Sequence, residues 1–283
     1  MATTPNDTKS KPLYIITGAT DSIGSVVAKR LAAQGKALLL ASFDTEKCQH
    51  FAKELTVSTL NSDISCQHLD LSSFAGVKTF VAGVKALNRP IAALINNASY
   101  ISRHSELSPN GYEKIVQVNF LSTVLLSELM IPLLGEGSKI IFSASLSRRF
   151  VSLPYEFPAV SNFIPVTAFG QSKLALSLFS IYMSTVLRGK HISVNCADLG
   201  LFNRSILSLG HWLGNINSSI AQLLPNVNDG ASALMRAIES TDTGFIFKGS
   251  ERQIKISTIL KNREVFIKLC NDTMRLIKKE IEL

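Results

Sequence analysis

The sequence has few of the residues that build metal centres and disulfide frameworks. Its 283 residues include four cysteines and five histidines, and neither type occurs in a closely spaced pair such as CxxC or HExxH. The spacing therefore predicts no metal site and no disulfide framework. Since disulfides are rare in reducing compartments, this cysteine pattern is typical of a cytosolic protein, and we predict a cytoplasmic location.

Long apolar runs are also missing from the sequence. The first residues, MATTPNDTKSKP, are polar and do not resemble a signal peptide. The most apolar stretch, from Phe120 to Leu134, is interrupted by two serines, a threonine and a glutamate. We therefore expect no membrane span.

Positive charge exceeds negative charge, but the basic residues do not form a cluster. Lysine and arginine number 29 against 21 aspartates and glutamates, which gives a formal net charge of +8. The basic residues are spread out rather than interleaved with aromatics, apart from a modestly basic tail from Arg252 to Lys279. This pattern favours an ordinary solvated surface, so we expect no nucleic-acid partner.

Short apolar runs alternate with helical patterns along most of the chain. The predicted strands are 12–17, 37–42, 64–69, 91–96, 139–145, 191–197 and 244–248, and the predicted helices are 22–34, 44–60, 77–87, 112–134, 167–187, 228–239 and 257–279. Continuously apolar strands that are each followed by a helix indicate a parallel sheet covered on both faces. We predict an α/β fold with a doubly wound, mainly parallel sheet of about seven strands.

One domain accounts for this alternation, because no linker or internal repeat divides it. We assign residues 1–10 to a flexible N-terminal tail and residues 11–283 to the domain. Within it, the apolar segment 199–225 has three open interpretations, namely a substrate lid, a contact in a homo-oligomer, or core. The amphipathic C-terminal helix is more typical of packing against the fold than of a membrane anchor.

A glycine-rich turn follows the first predicted strand. The sequence TGATDSIG spans Thr17 to Gly24, between a buried strand and a helix. Such a turn lets backbone N–H groups approach a pyrophosphate at the helix N-terminus. One turn is weak support by itself, but other motifs follow it in order: HLDLS at 68–72, NNAS at 96–99, VNF at 118–120, Ser145 at a strand end, and FGQSK at 169–173.

Together these motifs resemble those of the short-chain dehydrogenase/reductase family over residues 11 to 250. The stretch VNFLSTVLLSELMIPLL, the insertion between Ser145 and Phe169, and SKLALSLFS are most similar to its retinol-dehydrogenase-like branch. The resemblance implies a Rossmann-type domain that binds NAD(P). It also implies an oxidoreductase that transfers hydride between the cofactor and an apolar alcohol or carbonyl compound, which is a small-molecule substrate.

The resemblance also implies roles for individual residues. Asn119 would hold a helix and a relay water, Ser145 would hydrogen-bond the substrate oxygen, and Lys173 would hold the nicotinamide ribose and lower the pKa of a catalytic tyrosine. The implied cofactor-binding residues are Thr17, Gly18, Ser22, Ile23, Gly24, Ser42, Asp70, Leu71, Asn96, Ala98 and Lys173, and the implied catalytic positions are Asn119, Ser145, Phe169 and Lys173.

The sequence departs from the family pattern at its central residue. Phe169 stands where Tyr-x-x-x-Lys has tyrosine, and a phenyl ring has no ionisable hydroxyl. Because loss of a general acid costs ~10²–10⁴-fold in rate, we expect weakened or lost catalysis. The alternative function is a non-catalytic nucleotide-binding or scaffold pseudoenzyme. Tyr100 and Tyr155 are candidate substitutes, although neither stands four residues before a lysine.

The sequence departs from the family pattern at three further places, and two of the implied site residues have simpler structural interpretations. Ser22 replaces the middle glycine of the turn, where a side chain is expected to crowd the pyrophosphate. Ser99 replaces the glycine that closes the fourth-strand motif, and Leu199-Gly200 replaces Pro-Gly. Asp70 could instead be a helix N-cap or loop acid, and Lys173 a solvated helix lysine.

The preference between NAD and NADP is open at the end of the second predicted strand. An acidic residue there selects NAD, and an arginine one position later selects NADP. These positions hold Ser42 and Phe43. Ser42 would tolerate a 2′-phosphate, whereas Asp21 in the turn would repel it, so the sequence predicts NAD(P) without a preference.

Overall fold

An eight-stranded sheet forms the centre of the protein. The structure, a computed structural model, describes residues 11–160, 162–200, 227–250 and 252–282. The strands are β1 (Leu13–Thr17), β2 (Ala37–Ser42), β3 (Ile64–His68), β4 (Ile91–Asn96), β5 (Lys139–Ala144), β6 (Ser193–Asp198), β7 (Phe245–Lys248) and β8 (Arg252–Lys255). Their order is β3-β2-β1-β4-β5-β6-β7-β8, with β1 to β7 parallel and β8 antiparallel to β7. The predicted doubly wound, mainly parallel sheet is confirmed.

Helices cover both faces of this sheet. They are α1 (Ser22–Ala33), α2 (Thr45–Thr59), α3 (Phe74–Ala86), α4 (Lys114–Leu133), α5 (Pro165–Val186), α6 (Val227–Glu239) and α7 (Arg263–Glu282). One apolar core lies between the sheet and α1, α2 and α6, where Val27, Phe51 and Leu234 are buried. The other lies beneath α3, α4, α5 and α7 and includes Phe80 and Phe179. The inner strands β1, β2 and β4 are almost continuously apolar because both of their faces are buried, whereas β3, at the edge of the sheet, has exposed residues at Ser65 and His68.

The edge strand β8 was not predicted from the sequence. Its residues, RQIK, contain one apolar side chain and two basic ones, so they lack the apolar run that marks the inner strands. A short, charged strand is typical of a sheet edge, where unpaired backbone groups would otherwise recruit another chain. Residues 256–259 then form a 3₁₀ turn, which is why α7 begins at Arg263 rather than at the predicted Ser257.

Helix α4 has the length and apolar composition of a membrane span, but it packs inside the fold. In the part of the chain that the structure describes it is the one helix that meets both criteria, and 78% of its most apolar window is buried. Phe120, Leu121 and Leu125 are fully enclosed in the core. Since core helices of globular proteins meet the same criteria, the helix gives weak support for a membrane span.

The strand order places a crevice at the carboxyl end of β1. The chain runs from β1 outward to β2 and β3, and then returns to the other side of β1 to form β4. The loops after β1 and β4 therefore diverge, and ligands of doubly wound sheets bind at such a point. Of the segment 199–225, only Leu199 and Gly200 belong to the described residues, and the tail 1–10 lies outside them.

Candidate active site

The turn after β1 has a backbone shape that requires glycine. Gly18 has a φ of +63°, and a Cβ on it would lie 2.9 Å from the Cα atom of Ala98. Gly24 is packed more tightly, since a Cβ there would lie 2.2 Å from the carbonyl oxygen of Gly18. These close approaches bring the N-terminus of α1 to the ends of β1 and β4, and a helix N-terminus favours a bound phosphate.

Two side chains tie the end of β1 to the end of β4. The hydroxyl oxygen of Thr17 accepts hydrogen bonds from the backbone N–H groups of Asn97 and Ala98, both at 3.0 Å. In return the Asn97 amide donates to the carbonyl oxygens of Thr17 and Gly18, at 3.2 and 3.1 Å. Asn97 was absent from the predicted site residues, although its place as the second asparagine of NNAS was a usable signal.

A cavity of about 400 Å³ opens beside this turn, at the carboxyl ends of β1, β2 and β4. Five of the predicted cofactor-binding residues line it: Gly18, Ser42, Asp70, Leu71 and Ala98. Among the described residues, the other predicted ones do not line it, namely Thr17, Ser22, Ile23, Gly24, Asn96 and Lys173. Thr17, Ile23 and Gly24 are buried behind the wall, and Ser22 is the first residue of α1.

Asp70 is held by the loop that follows β3. Its Oδ1 atom accepts hydrogen bonds from the backbone N–H and the hydroxyl of Ser72, at 2.8 and 2.7 Å. The N-cap of α3 is Ser73, whose hydroxyl accepts from the N–H of Gly76. The interpretation of Asp70 as a helix N-cap is therefore wrong, and its carboxylate lies at the cavity wall instead.

Acidic and basic side chains line the cavity together. Burial raises the pKa of the Asp21 carboxyl, and the nearby positive charge of Lys47 partly opposes that shift. Asp44 caps α2 by accepting a hydrogen bond from the N–H of Lys47 at 2.9 Å. Lys114 also lines the cavity, and its Nζ lies 4.9 Å from the ring centroid of Tyr100. This mixture of charges does not select between NAD and NADP.

Asn119 joins three parts of the site within a π-helical turn of α4. Its Oδ1 atom accepts from the N–H of Tyr100 at 2.7 Å, and its Nδ2 atom donates to the Tyr100 carbonyl and to the Ser172 hydroxyl, at 2.8 and 3.2 Å. The residue is fully buried. These bonds hold the loop after β4 against α4 and α5 and use both ends of the amide.

Lys173 and Phe169 lie one helical turn apart in α5 and are both buried. The Lys173 Nζ atom donates to the hydroxyl of Ser143 at 3.0 Å and lies 5.8 Å from the Phe169 ring centroid. Burial lowers the pKa of Lys173 to about 7. Lys173 is only 2% exposed, so the interpretation as a solvated helix lysine is wrong. Phe169 packs against Ile115 and the partly buried Tyr100.

Ser145 follows directly after β5, and its hydroxyl forms hydrogen bonds within the protein. Its hydroxyl donates to the carbonyl oxygen of Gly200 at 2.8 Å and accepts from the hydroxyl of Ser147 at 3.0 Å. Its carbonyl oxygen accepts from Arg148, which also forms a buried ion pair with Asp198 at 2.8 Å. The sequence carried no signal for this ion pair, because its partners are 50 residues apart.

Asn96, Tyr100 and Tyr155 lie in three different environments; the two tyrosines are the candidate substitutes for the one missing at position 169. The Asn96 amide donates to the hydroxyl of Ser127 in α4 at 3.1 Å, and its buried Oδ1 has no partner among the described residues. Tyr100 lines the cavity, and its hydroxyl donates to the carboxylate of Glu106 at 3.2 Å. Tyr155 is 63% exposed, and its ring lies against the Lys268 ammonium of α7. Of the two tyrosines, only Tyr100 lies at the cavity.

Comparisons with known proteins agree with this architecture. A family model described as short chain dehydrogenase matches residues 13–208. Human polyprenol dehydrogenase is 28% identical over 70% of this chain and 63% of its own length. Human retinol dehydrogenase 13 is 33% identical over 66% of this chain and 58% of its own length. The chain thus spans less than two thirds of these curated relatives.

Solved structures share the fold at lower sequence identity. The Pseudomonas aeruginosa RhlG/NADP active-site complex superposes with a TM-score of 0.66 and 22% identity. The match covers 84% of this chain and 94% of that one. At this identity the likeness concerns the arrangement of strands and helices.

Proposed function

The chain belongs to the short-chain dehydrogenase family, on its retinol-dehydrogenase-like branch, and from this premise we propose that it binds NAD(P) in the cavity beside the Thr17–Gly24 turn. The observation that carries the proposal is the cavity beside Gly18, where the backbone of the turn approaches Ala98 so closely that it leaves no room for a Cβ. The NADP complex of the structurally similar RhlG supports the same ligand class. The preference between NAD and NADP stays open.

The residues around the cavity fit the two polar parts of such a cofactor. The first backbone N–H groups of a helix have no partner within it, so the N-terminus of α1 would hold the pyrophosphate. Ser42 is the last residue of β2 and Asp70 lies in the loop after β3, where both would contact the adenosine. Val118 and Leu71 add apolar surface to the same wall.

We propose that the protein acts on an apolar alcohol or carbonyl compound, for which the cofactor would supply or accept the hydride, and that this turnover is weakened or lost. The phenyl ring of Phe169 cannot donate or accept the proton that the substrate oxygen requires. Lys173 is hydrogen-bonded to Ser143, and the Ser145 hydroxyl donates a hydrogen bond to the carbonyl oxygen of Gly200. The missing proton donor favours the second candidate function, a dinucleotide-binding scaffold without catalysis.

We also propose a cellular location, a class of substrate and an oligomeric partner for the protein. A cytoplasmic location is supported by the spacing of the cysteines and by the burial of α4 within the fold. A small molecule is the expected substrate, and a homo-oligomer is compatible with the family.

Calorimetric titration with NAD(H) and NADP(H) tests the binding proposal. Gly18→Ala is expected to abolish measurable binding, because the new Cβ would lie 2.9 Å from the Cα atom of Ala98 and 2.9 Å from the Asp21 carboxylate and would displace these residues at the cavity wall. Gly35→Ala is the matched control. Gly35 also has a positive φ, of +69°, but no atom lies within 4 Å of the added Cβ.

Both glycines have a positive φ, so a difference in binding between the two variants comes from the clash of the new Cβ with Ala98 and Asp21 at the cavity wall. Retained dinucleotide binding by a folded Gly18→Ala variant, at the affinity of the parent, would contradict the proposed site. Equal loss of binding in both variants would show that the effect comes from the strained backbone.

A further inference from the structure

Two cysteine sulfur atoms meet between α2 and the sheet. Cys48 lies in the first turn of α2 and Cys66 in the middle of β3, and their Sγ atoms are 2.7 Å apart. Non-bonded heavy atoms pack best at roughly 3.5–4.0 Å, so the two sulfurs are closer than ordinary packing requires. The S–S bond of a disulfide is about 2.05 Å long, and a short displacement separates the two states.

The fold itself imposes this approach. Leu40 in β2 pairs in register with Cys66, and its carbonyl oxygen lies 3.4 Å from the Cys48 sulfur. Cys48 is on the buried face of α2, together with Phe51 and Leu55, so the helix is fixed against the strands. Both cysteines therefore lie on regular, packed elements, and their separation does not depend on a loop.

We propose that Cys48 and Cys66 form a reversible intramolecular disulfide that clamps α2 onto β3. The spacing of 18 residues between them matches no sequence motif, and the expectation of no disulfide framework was based on such motifs. The clamp would lie directly behind the cavity wall, because Asp44 and Lys47 in the same turn of α2 line the cavity.

The two thiols differ in the way that thiol–disulfide exchange requires. Cys66 is partly exposed, and a hydrogen bond from Cys48 lowers the pKa of its thiol. Cys48 is fully buried, and its role as donor together with burial raises its pKa. The thiolate is the attacking species, so Cys66 is the residue that reacts first with an outside disulfide.

Oxidation by a small-molecule disulfide balances in two steps. The Cys66 thiolate attacks one sulfur of the small disulfide, forms a mixed disulfide and releases one thiolate. Cys48 then attacks the Cys66 sulfur, its proton passes to a released thiolate, and the second small thiol departs. The protein loses two hydrogen atoms, and the small disulfide is reduced to two thiols.

A mass measurement on the wild-type chain tests the proposal without any variant. The protein is equilibrated with mixtures of oxidised and reduced glutathione, quenched in acid, alkylated and digested. We expect a mass loss of two hydrogen atoms and a linked pair of peptides containing Cys48 and Cys66. Alkylation of both cysteines under oxidising mixtures, or a lasting glutathione adduct on Cys66, would overturn the proposal.

Thermal melting supplies a second readout with matched variants. Closing the loop between residues 48 and 66 restricts the unfolded chain, so the oxidised protein is expected to melt roughly 5–10 °C higher than the reduced one. Cys66→Ser should abolish this difference. Cys270→Ser, which changes a buried cysteine in α7, should retain it. A difference that survives in Cys66→Ser would assign the effect to other cysteines and refute the clamp.

Discussion

The substitution Phe169→Tyr tests most directly why this chain should be a weak catalyst. The new hydroxyl would enter a buried cluster, since Phe169 is 2% exposed. It would also come close to Lys173, whose Nζ is 5.8 Å from the present ring centroid. A neighbouring ammonium lowers the pKa of a phenol, and a positioned general acid contributes ~10²–10⁴-fold in rate. We expect reductase turnover on apolar aldehydes or ketones to rise by a factor in that range.

The pH dependence of turnover by the Phe169→Tyr variant tests the role of the Lys173 charge. Burial lowers the pKa of Lys173 to about 7, so the ammonium form dominates only below that pH. The gain in reductase turnover should therefore decline as the pH rises and Lys173 loses its proton. A buried hydroxyl without a partner costs ~1–3 kcal/mol of stability, so the folded fraction is measured before the rates are compared.

The assay follows oxidation of NADH and NADPH with a series of apolar aldehydes and ketones. Phe163→Tyr is the matched control, because Phe163 packs against the same cluster and receives the same added hydroxyl. We expect no gain in turnover from it. If Phe169→Tyr binds the dinucleotide as the parent does and remains as inactive across the whole series, the reasoning is refuted, and the site lacks more than the tyrosine.

Two further predictions concern the buried charges around the site. Asp198→Asn leaves the Arg148 charge buried without its partner and should lower the free energy of unfolding by roughly 3–5 kcal/mol. Asp272→Asn, which weakens the ion pairs of Asp272 with Lys268 and Arg275 at the surface of α7, should cost about 0–1 kcal/mol. Urea denaturation measures both, and equal losses would contradict the argument. Lys173 has a pKa of about 7 in the folded protein and about 10.4 when unfolded, so the unfolded chain binds more protons between these values and stability rises with pH there. Between pH 7 and pH 9.5 the free energy of unfolding of the parent should therefore rise relative to that of Lys173→Met. A difference between the two proteins that does not change with pH would contradict this prediction.

The alternation of apolar runs was sufficient to predict the sheet. Strands such as ALLLAS are buried on both faces, and the physical need to cover them requires a helix after each one. Strand β8 escaped prediction because an edge strand of four residues carries polar side chains and forms through pairing with β7 rather than through burial of its own. The pattern of apolar residues along the sequence therefore identifies strands with buried side chains. It misses a strand that forms through backbone pairing with a neighbouring strand.

The cavity was predictable only in part. Gly18, Asp70 and Ala98 follow strand ends, and parallel strands end at one edge, so their meeting follows from the order of elements. The direction in which a side chain points does not follow from that order. The amide of Asn96, the last residue of β4, donates to Ser127 in α4, whereas the amide of Asn97, in the loop that follows, donates to Thr17 and Gly18 in the turn after β1.

The sequence by itself determined the class of sheet, the glycine turn and the absence of a tyrosine at position 169, because each of these depends on residue type and local spacing. Only the tertiary structure decided the surroundings of the reactive groups. The burial of Lys173 against Ser143, the pairing of Arg148 with Asp198, and the meeting of Cys48 with Cys66 join residues 18 to 50 positions apart. Contacts of that kind arise when helices are pressed onto the sheet, and their energies depend on distance and burial that no local pattern encodes.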